Sequence, residues 1–394
     1  MTRSRSMRRR GAALISIGAI AVLAMGCSSS ASKPKATAVK TAADSAIDLK
    51  AAGCPSTVVI QTDWNPESEH GGQYQLLGPN PTINTQKKSV SGDLYAEGKP
   101  TGVKVEIRSG GPAIGFQTVT SQMYKDKSIT LGYLGTDEQV SLSAVNPTVA
   151  VLAGLQKSPQ IIQWSPQEHP DFKTIADIGK TNTKVLYFEG ASYMDYLIGK
   201  GILKKSQVDG NYDGTPTEFV GSKGKFAVQG FATSEPYTYS HEVKAWDKPM
   251  KYQLIADAGF DFYQQALGVR KDALPSLTKC LTKLVPIMQQ AIVDFVEKPA
   301  ATNALILKLV GAYNNGWVYT PGVAAYAVAT EKKLGIVAND PATGYLGSFD
   351  ASRVQELINI LKPIYSKTGK KLATDLTPSS ITTNQFLDKN VKLP

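Results

Sequence analysis

The chain is 394 residues long, 42% hydrophobic and 19% charged, which excludes a disordered or collagen-like polymer and supplies enough apolar material for two domains. Its formal charge is +10, yet five of its 43 basic residues are Arg3, Arg5, Arg8, Arg9 and Arg10, and without them the excess falls to +5. An excess that dilute does not make the concentrated basic face that nucleic acid requires, so nucleic acid is excluded as a partner.

The arginines lead into an apolar run from Ala12 to Met25, followed by Gly26, Cys27 and three serines. This is the layout of a secretory signal, and the run is shorter than the ~20 residues of a membrane-spanning helix. Gly26 before Cys27 resembles the bacterial lipoprotein cleavage site, at which the cysteine thiol receives a lipid, although Ala24 stands where Leu is usual. The alternative is a plain signal cleavage. The RRRG string also suggests twin-arginine export but lacks the usual Phe and Lys. Residues 1–26 are therefore expected to be a lipoprotein signal peptide and residues 27–50, rich in Ser, Ala, Thr and Lys, a flexible tether. Such a protein is expected to be exported, anchored by Cys27 to the outer face of the cell membrane, and monomeric.

If Cys27 is acylated, only Cys54 and Cys280 remain, so one disulfide is possible in an oxidising compartment; two buried thiols are the alternative. His70, His169 and His241 are far apart, with no metal-binding spacing, and no metal or cofactor is expected.

The body alternates short β-branched or aromatic runs with helical stretches. Strands are predicted at 58–62, 103–107, 129–133, 161–164, 185–188 and 226–231, and helices at 146–155, 193–201 and 274–296. In the last of these, Leu281, Leu284, Val285, Met288, Ile292 and Phe295 form a stripe that packs on a sheet. The alternation predicts an α/β protein with largely parallel sheets in two lobes, and places ligands at the carboxyl ends of strands.

The first strand is followed by Asp63, Trp64, Asn65, Pro66, Glu67, Ser68, Glu69, His70, Gly71, Gly72, Gln73 and Tyr74. Trp64 offers a face for stacking an aromatic ring, Asp63 and His70 offer hydrogen-bond partners at its edge, and the glycines allow close backbone approach. Taken alone, residues such as Trp64 and Tyr74 are more often in the core or at its rim than in contact with a ligand. By position after a strand, Thr136, Asp137, Glu189 and Ser192 are further candidates, at helix starts whose N–H groups point at a ligand. The acids among them, with Glu138, disfavour an anion. Trp164 is either a second stacking face or an ordinary lobe residue.

The stretch DWNPESEHGGQY resembles the DWxPxxxHxGxY pattern of the thiamine-pyrimidine family, which comprises solute-binding proteins of ABC importers and the fungal thiamine-pyrimidine synthase. TIADIGKTNTKVLYF resembles the second-lobe entry of nitrate, sulfonate and taurine binding proteins. GKFAVQGFATSEPY resembles a strand ending on an Asn-Glu-Pro motif, with Ser234 in place of Asn. With TTNQFL near the end, the likeness spans most of residues 54–390. It implies a two-lobed periplasmic-binding-protein fold (type II) with the ligand cleft between the lobes: residues 51–155 and 246–394 in lobe 1, and 156–245 in lobe 2. It also implies that Asp63 and Trp64 meet a ligand ring, that His70 and Tyr74 share their cleft wall, and that Glu235 reaches across from the other lobe.

The resulting expectation is a binding protein, not an enzyme: the substrate-binding component of an ABC importer that hands a small heteroaromatic nutrient to a membrane permease and its ATPase. A thiamine pyrimidine precursor is the first ligand class, with riboflavin-type and sulfonate or nitrate-type solutes as alternatives. A synthase-like enzyme is the remaining one, although the three cysteines are not clustered and no GxSxG or P-loop motif is present.

Overall fold

The computed structural model describes residues 47–394. The expected signal peptide, Cys27 and most of the expected tether lie outside the described residues. The folded body begins before residue 51: Leu49 is wholly buried and its N–H donates to the Thr101 carbonyl at 3.0 Å.

Among the described residues, twelve strands form two sheets. The first sheet contains β1 (Thr57–Gln61), β2 (Thr82–Asn84), β3 (Ser89–Ala96), β4 (Lys99–Arg108), β5 (Leu131–Leu134), β6 (Thr148–Leu152) and β12 (Ala266–Arg270), in the order β2-β3-β4-β1-β5-β12-β6. The second contains β7 (Gln160–Trp164), β8 (Val185–Leu186), β9 (Val208–Asp209), β10 (Ala227–Phe231) and β11 (Lys251–Leu254), in the order β11-β7-β10-β8-β9. The chain crosses between the sheets through residues 153–159 and 255–265.

The six predicted strands match β1, β4, β5, β7, β8 and β10 to within a few residues. Three expectations are corrected. Residues 146–155 contain strand β6 and no helix; all five residues of TVAVL are buried, and a short run buried on both faces has no periodicity to separate strand from helix. The sheets are mixed rather than largely parallel: β4-β1-β5 and β10-β8-β9 pair in parallel, while β2-β3-β4 is an antiparallel meander and β12 runs antiparallel to both neighbours. Finally, β11 pairs with β7, so the second sheet extends beyond the expected return at residue 246.

The helix at Leu274–Glu297 carries its predicted stripe, and all six named residues are buried. Cys280 on this helix is bonded to Cys54 just before β1. Gly71 and Gly72 let the short helix Gly71–Tyr74 lie directly on the long one, since a Cβ at either position would collide with Phe295 or Ile292.

Candidate functional site

The end of β1 is held by its own backbone. The Gly110 N–H donates to the Trp64 carbonyl at 2.9 Å, and the Gly111 N–H to that of Asp63 at 2.8 Å. The Thr62 hydroxyl also donates to the Trp64 carbonyl, at 2.8 Å. Gly111 has φ +54, and a Cβ there would strike the Trp64 indole. These contacts project Trp64 toward the second sheet, where its ring lies 5.5 Å from Phe188. On the first-lobe side it meets Trp317 edge-on at 5.9 Å.

Between the sheets lies a cavity of about 180 Å³. Asp63, Trp64, Glu67 and Trp317 line it from one side, and Phe188, Tyr212, Gln229, Phe231 and Glu235 from the other. Phe188 and Phe231 stand at strand ends, where a doubly wound sheet presents its ligands. Glu235 opens the turn after β10, and its carboxylate accepts the Phe231 N–H at 2.6 Å. A Cβ on Gly230 would meet the Glu235 side chain. A second, more open hollow shares Asp63, Trp64, Phe188 and Tyr212 with this cavity and is lined also by Phe116 and Glu189.

Of the ten residues singled out in the sequence, Asp63, Trp64 and Glu235 line the inner cavity and Glu189 lines the outer hollow. The other six do not line the inner cavity. His70 is fully buried behind Asp63, with its Nε2 2.9 Å from the Asp63 carboxylate, so it orients that group from behind. Tyr74 is 2% exposed in the main core, because the helical turn at Gly71 points it at the long helix. Trp164 is a core residue of the second lobe, packed edge-on against Phe172. Thr136 closes a reciprocal pair with the backbone of Tyr263. Ser192 accepts the Tyr365 hydroxyl at 2.9 Å, and Asp137 is adjacent to Ser192.

Reading the sequence missed Glu67, Phe188, Tyr212 and Trp317. Phe188 is the last residue of the strand expected at 185–188, one position before Glu189. Trp317 lies between the helices Ala300–Tyr313 and Pro321–Lys333, where no strand-end rule points. It is placed by its indole N–H donating to the Pro66 carbonyl at 3.3 Å and by an Asn315–Asn65 side-chain bond of 2.6 Å.

The site is rich in carboxylates. Burial, reinforced by Glu69 and Asp63, raises Glu67 well above its ordinary value. Burial raises Glu69 as well, against a hydrogen bond from the Thr233 hydroxyl of the other lobe. Glu235 is pushed from 4.5 to about 7 by burial, as is Glu138. Among the described residues, Asp63, Glu67 and His70 are the one trio whose ligating atoms gather within 4.8 Å. The Gln265 amide nitrogen lies 3.1 Å from Asp63, 3.4 Å from Glu67 and 3.5 Å from His70. This closes the trio into a hydrogen-bond network, and we assign it no ion.

The raised carboxyls set a pH dependence. Unfolded, Glu235 and Glu138 ionise near 4.5; folded, they hold their protons to about 7. The folded state thus binds more protons across that window, and stability falls as pH rises through it, by on the order of 3 kcal/mol per group at most. Asp209, held low by the Lys184 ammonium, has the opposite sign, but its contribution is lost only below about pH 4. Thermal unfolding of the ligand-free protein should give a lower Tm at pH 7.5 than at pH 5; a higher one contradicts this account.

No family model matches the chain, and no curated protein does. Solved structures do. A protein from Bordetella bronchiseptica RB50 superposes with TM-score 0.51 at 15% identity, covering 84% of this chain and 96% of that one. The zinc-bound ligand-binding component of an ABC-type import system from Staphylococcus aureus gives 0.51 at 11% identity, covering 84% and 97%. The periplasmic aliphatic sulphonate binding protein SsuA of Escherichia coli gives 0.50 at 15% identity, covering 80% and 88%. The chain has the periplasmic-binding-protein fold. In this fold the cavity around Trp64 lies where the two lobes meet, and the Trp64–Phe188 and Glu69–Thr233 contacts join them across it.

Proposed function

We propose that the protein is the extracytoplasmic substrate-binding component of an ABC importer, capturing a small flat heteroaromatic nutrient, with a thiamine pyrimidine precursor as the first ligand class. One observation carries this reading: Trp64 from one lobe and Glu235 from the other line the same inter-lobe cavity. A stacking face plus charge-assisted hydrogen bonds in a closed cleft can supply the ~8 kcal/mol of micromolar affinity. The cavity volume favours a single ring, since a wholly apolar cavity of about 150 Å³ already accepts benzene. That disfavours a riboflavin-type solute. Sulfonate or nitrate is disfavoured by Asp63, Glu67 and Glu235 on the wall, where no Lys or Arg lies.

A synthase-like enzyme finds no support in the cysteines, because Cys54 and Cys280 are joined to each other. Anchoring through a lipid on Cys27, delivery to a permease and its ATPase, and the monomeric state all belong to this proposal. Among the described residues no helix is long and apolar enough to cross a membrane.

Native mass spectrometry of the exported protein, purified without unfolding, should show one retained small molecule that is released on denaturation. The same compound added back at a hundred times its Kd should stabilise the protein by about 2.7 kcal/mol, or about 4 °C in Tm for a body of this size. An empty protein that no nutrient stabilises would sink the proposal.

A further inference from the structure

The cavity combines two features that together specify a charge. Its aromatic rings come from both lobes, with Trp64 against Phe188 at 5.5 Å and Phe188 against Tyr212 at 5.1 Å. Its wall also carries three carboxylates, Asp63, Glu67 and Glu235, and no lysine or arginine. Behind them Glu69 is 8% exposed and Glu331 is wholly buried. Among the described residues, the only basic group paired with any of these five acids is the His70 imidazole, near Asp63 and Glu67.

Burying a carboxylate without a counter-charge is costly, and an empty cleft lowers that cost by keeping protons on Glu67, Glu69, Glu235 and Glu331. An anionic solute would add to the repulsion, and a neutral ring would leave it unchanged. A cation removes it, and the faces of indole and phenyl rings add a favourable quadrupole interaction with the same charge. Building on the solute-binding reading, we propose that the bound solute is a heteroaromatic cation on a single ring, stacked on Trp64 and countered by Asp63, Glu67 and Glu235.

Entry of a fixed positive charge displaces a proton from Glu235 to solvent, so charge is conserved: one cation enters the cavity and one proton leaves. The groups facing Glu235 are Glu67, Glu69, Tyr212 and Tyr239. The tyrosines hold their protons far above neutrality, and Glu67 and Glu69 have the same sign as Glu235, so none of them reverses the exchange. Binding therefore strengthens as pH rises, approaching tenfold per unit below about pH 7, where Glu235 gives up its proton.

The test uses isothermal titration calorimetry on the full exported chain, freed of retained solute, with probes of one shape and different charge. These are 4-amino-1-methylpyridinium, its neutral isostere 4-methylaniline, and benzenesulfonate as the anion. We expect the pyridinium to bind at least tenfold more tightly than the aniline, and benzenesulfonate not to bind. Its Kd should tighten from pH 6 to pH 7, and its binding heat should vary with buffer ionisation enthalpy in the sense of proton release. Glu235→Gln should weaken the pyridinium and flatten the pH dependence; the wild-type buffer series stands independently if that variant folds poorly. Aniline or benzenesulfonate binding as tightly as the pyridinium, or pyridinium binding without proton release, overturns the charge assignment and leaves solute binding in place. Failure of all three probes overturns the charge assignment too, and if native mass spectrometry finds no retained solute, the solute-binding reading falls with it.

Discussion

Trp64→Ala should weaken solute binding by at least a hundredfold while leaving the protein folded. The indole sits between the lobes: it meets Trp317 on its own side and Phe188 on the other, and it lines both the inner cavity and the outer hollow. Truncating a central aromatic anchor in a desolvated pocket commonly costs about 3 kcal/mol, which is a hundredfold in Kd. The fold should be spared, because Trp64 is only partly buried and its carbonyl, not its ring, fixes the strand end through Gly110 and Thr62. Trp64→Phe should recover part of the affinity, since a smaller face still stacks. Calorimetry with the solute identified from the purified protein, alongside circular dichroism of each variant, gives the answer. Wild-type affinity in Trp64→Ala would remove the indole from the site.

The fate of the DWNPESEHGGQY stretch shows how far the sequence could be read. That it follows a strand and offers side chains to a cavity was visible in its residue types. That it divides was not: Asp63 and Trp64 face the cleft, whereas His70, Gly71, Gly72 and Tyr74 turn back into the body. The division is made by the turn at Glu67–His70, and its direction is fixed by helix Leu274–Glu297, more than 200 residues away in sequence. The six predicted strands were legible because buried β-branched runs flanked by Gly or Pro have few other uses. The meander β2-β3 was not, because SVSGDLYA alternates without a strong apolar face. Trp317 was beyond reach for the same reason as the helix: only the folded loop contacts at Asn65 and Pro66 bring it to the cavity.

Cys54→Ala/Cys280→Ala should lower the melting temperature by several degrees without altering affinity much. The bridge joins positions 226 residues apart, and closing a loop of that length in the unfolded chain is worth about 5 kcal/mol in the chain-entropy description. With about 2.1 cal/mol/K of unfolding entropy per residue, that corresponds to roughly 7 °C for a body of this size. Both half-cystines are buried in the first-lobe core, Cys54 just before β1 and Cys280 on the long helix, and neither lines the Trp64 cavity. The effect should therefore fall on stability and spare the cleft. Differential scanning calorimetry of the oxidised protein, the reduced protein and the double variant separates the contributions: reduced protein and variant should melt together, below the oxidised form. An unchanged melting temperature, or two free thiols titrated in the exported protein, would remove the staple from the account of what holds β1 against the long helix. In that case Gly71, Gly72 and the Leu281 to Phe295 stripe would have to hold that contact by packing alone.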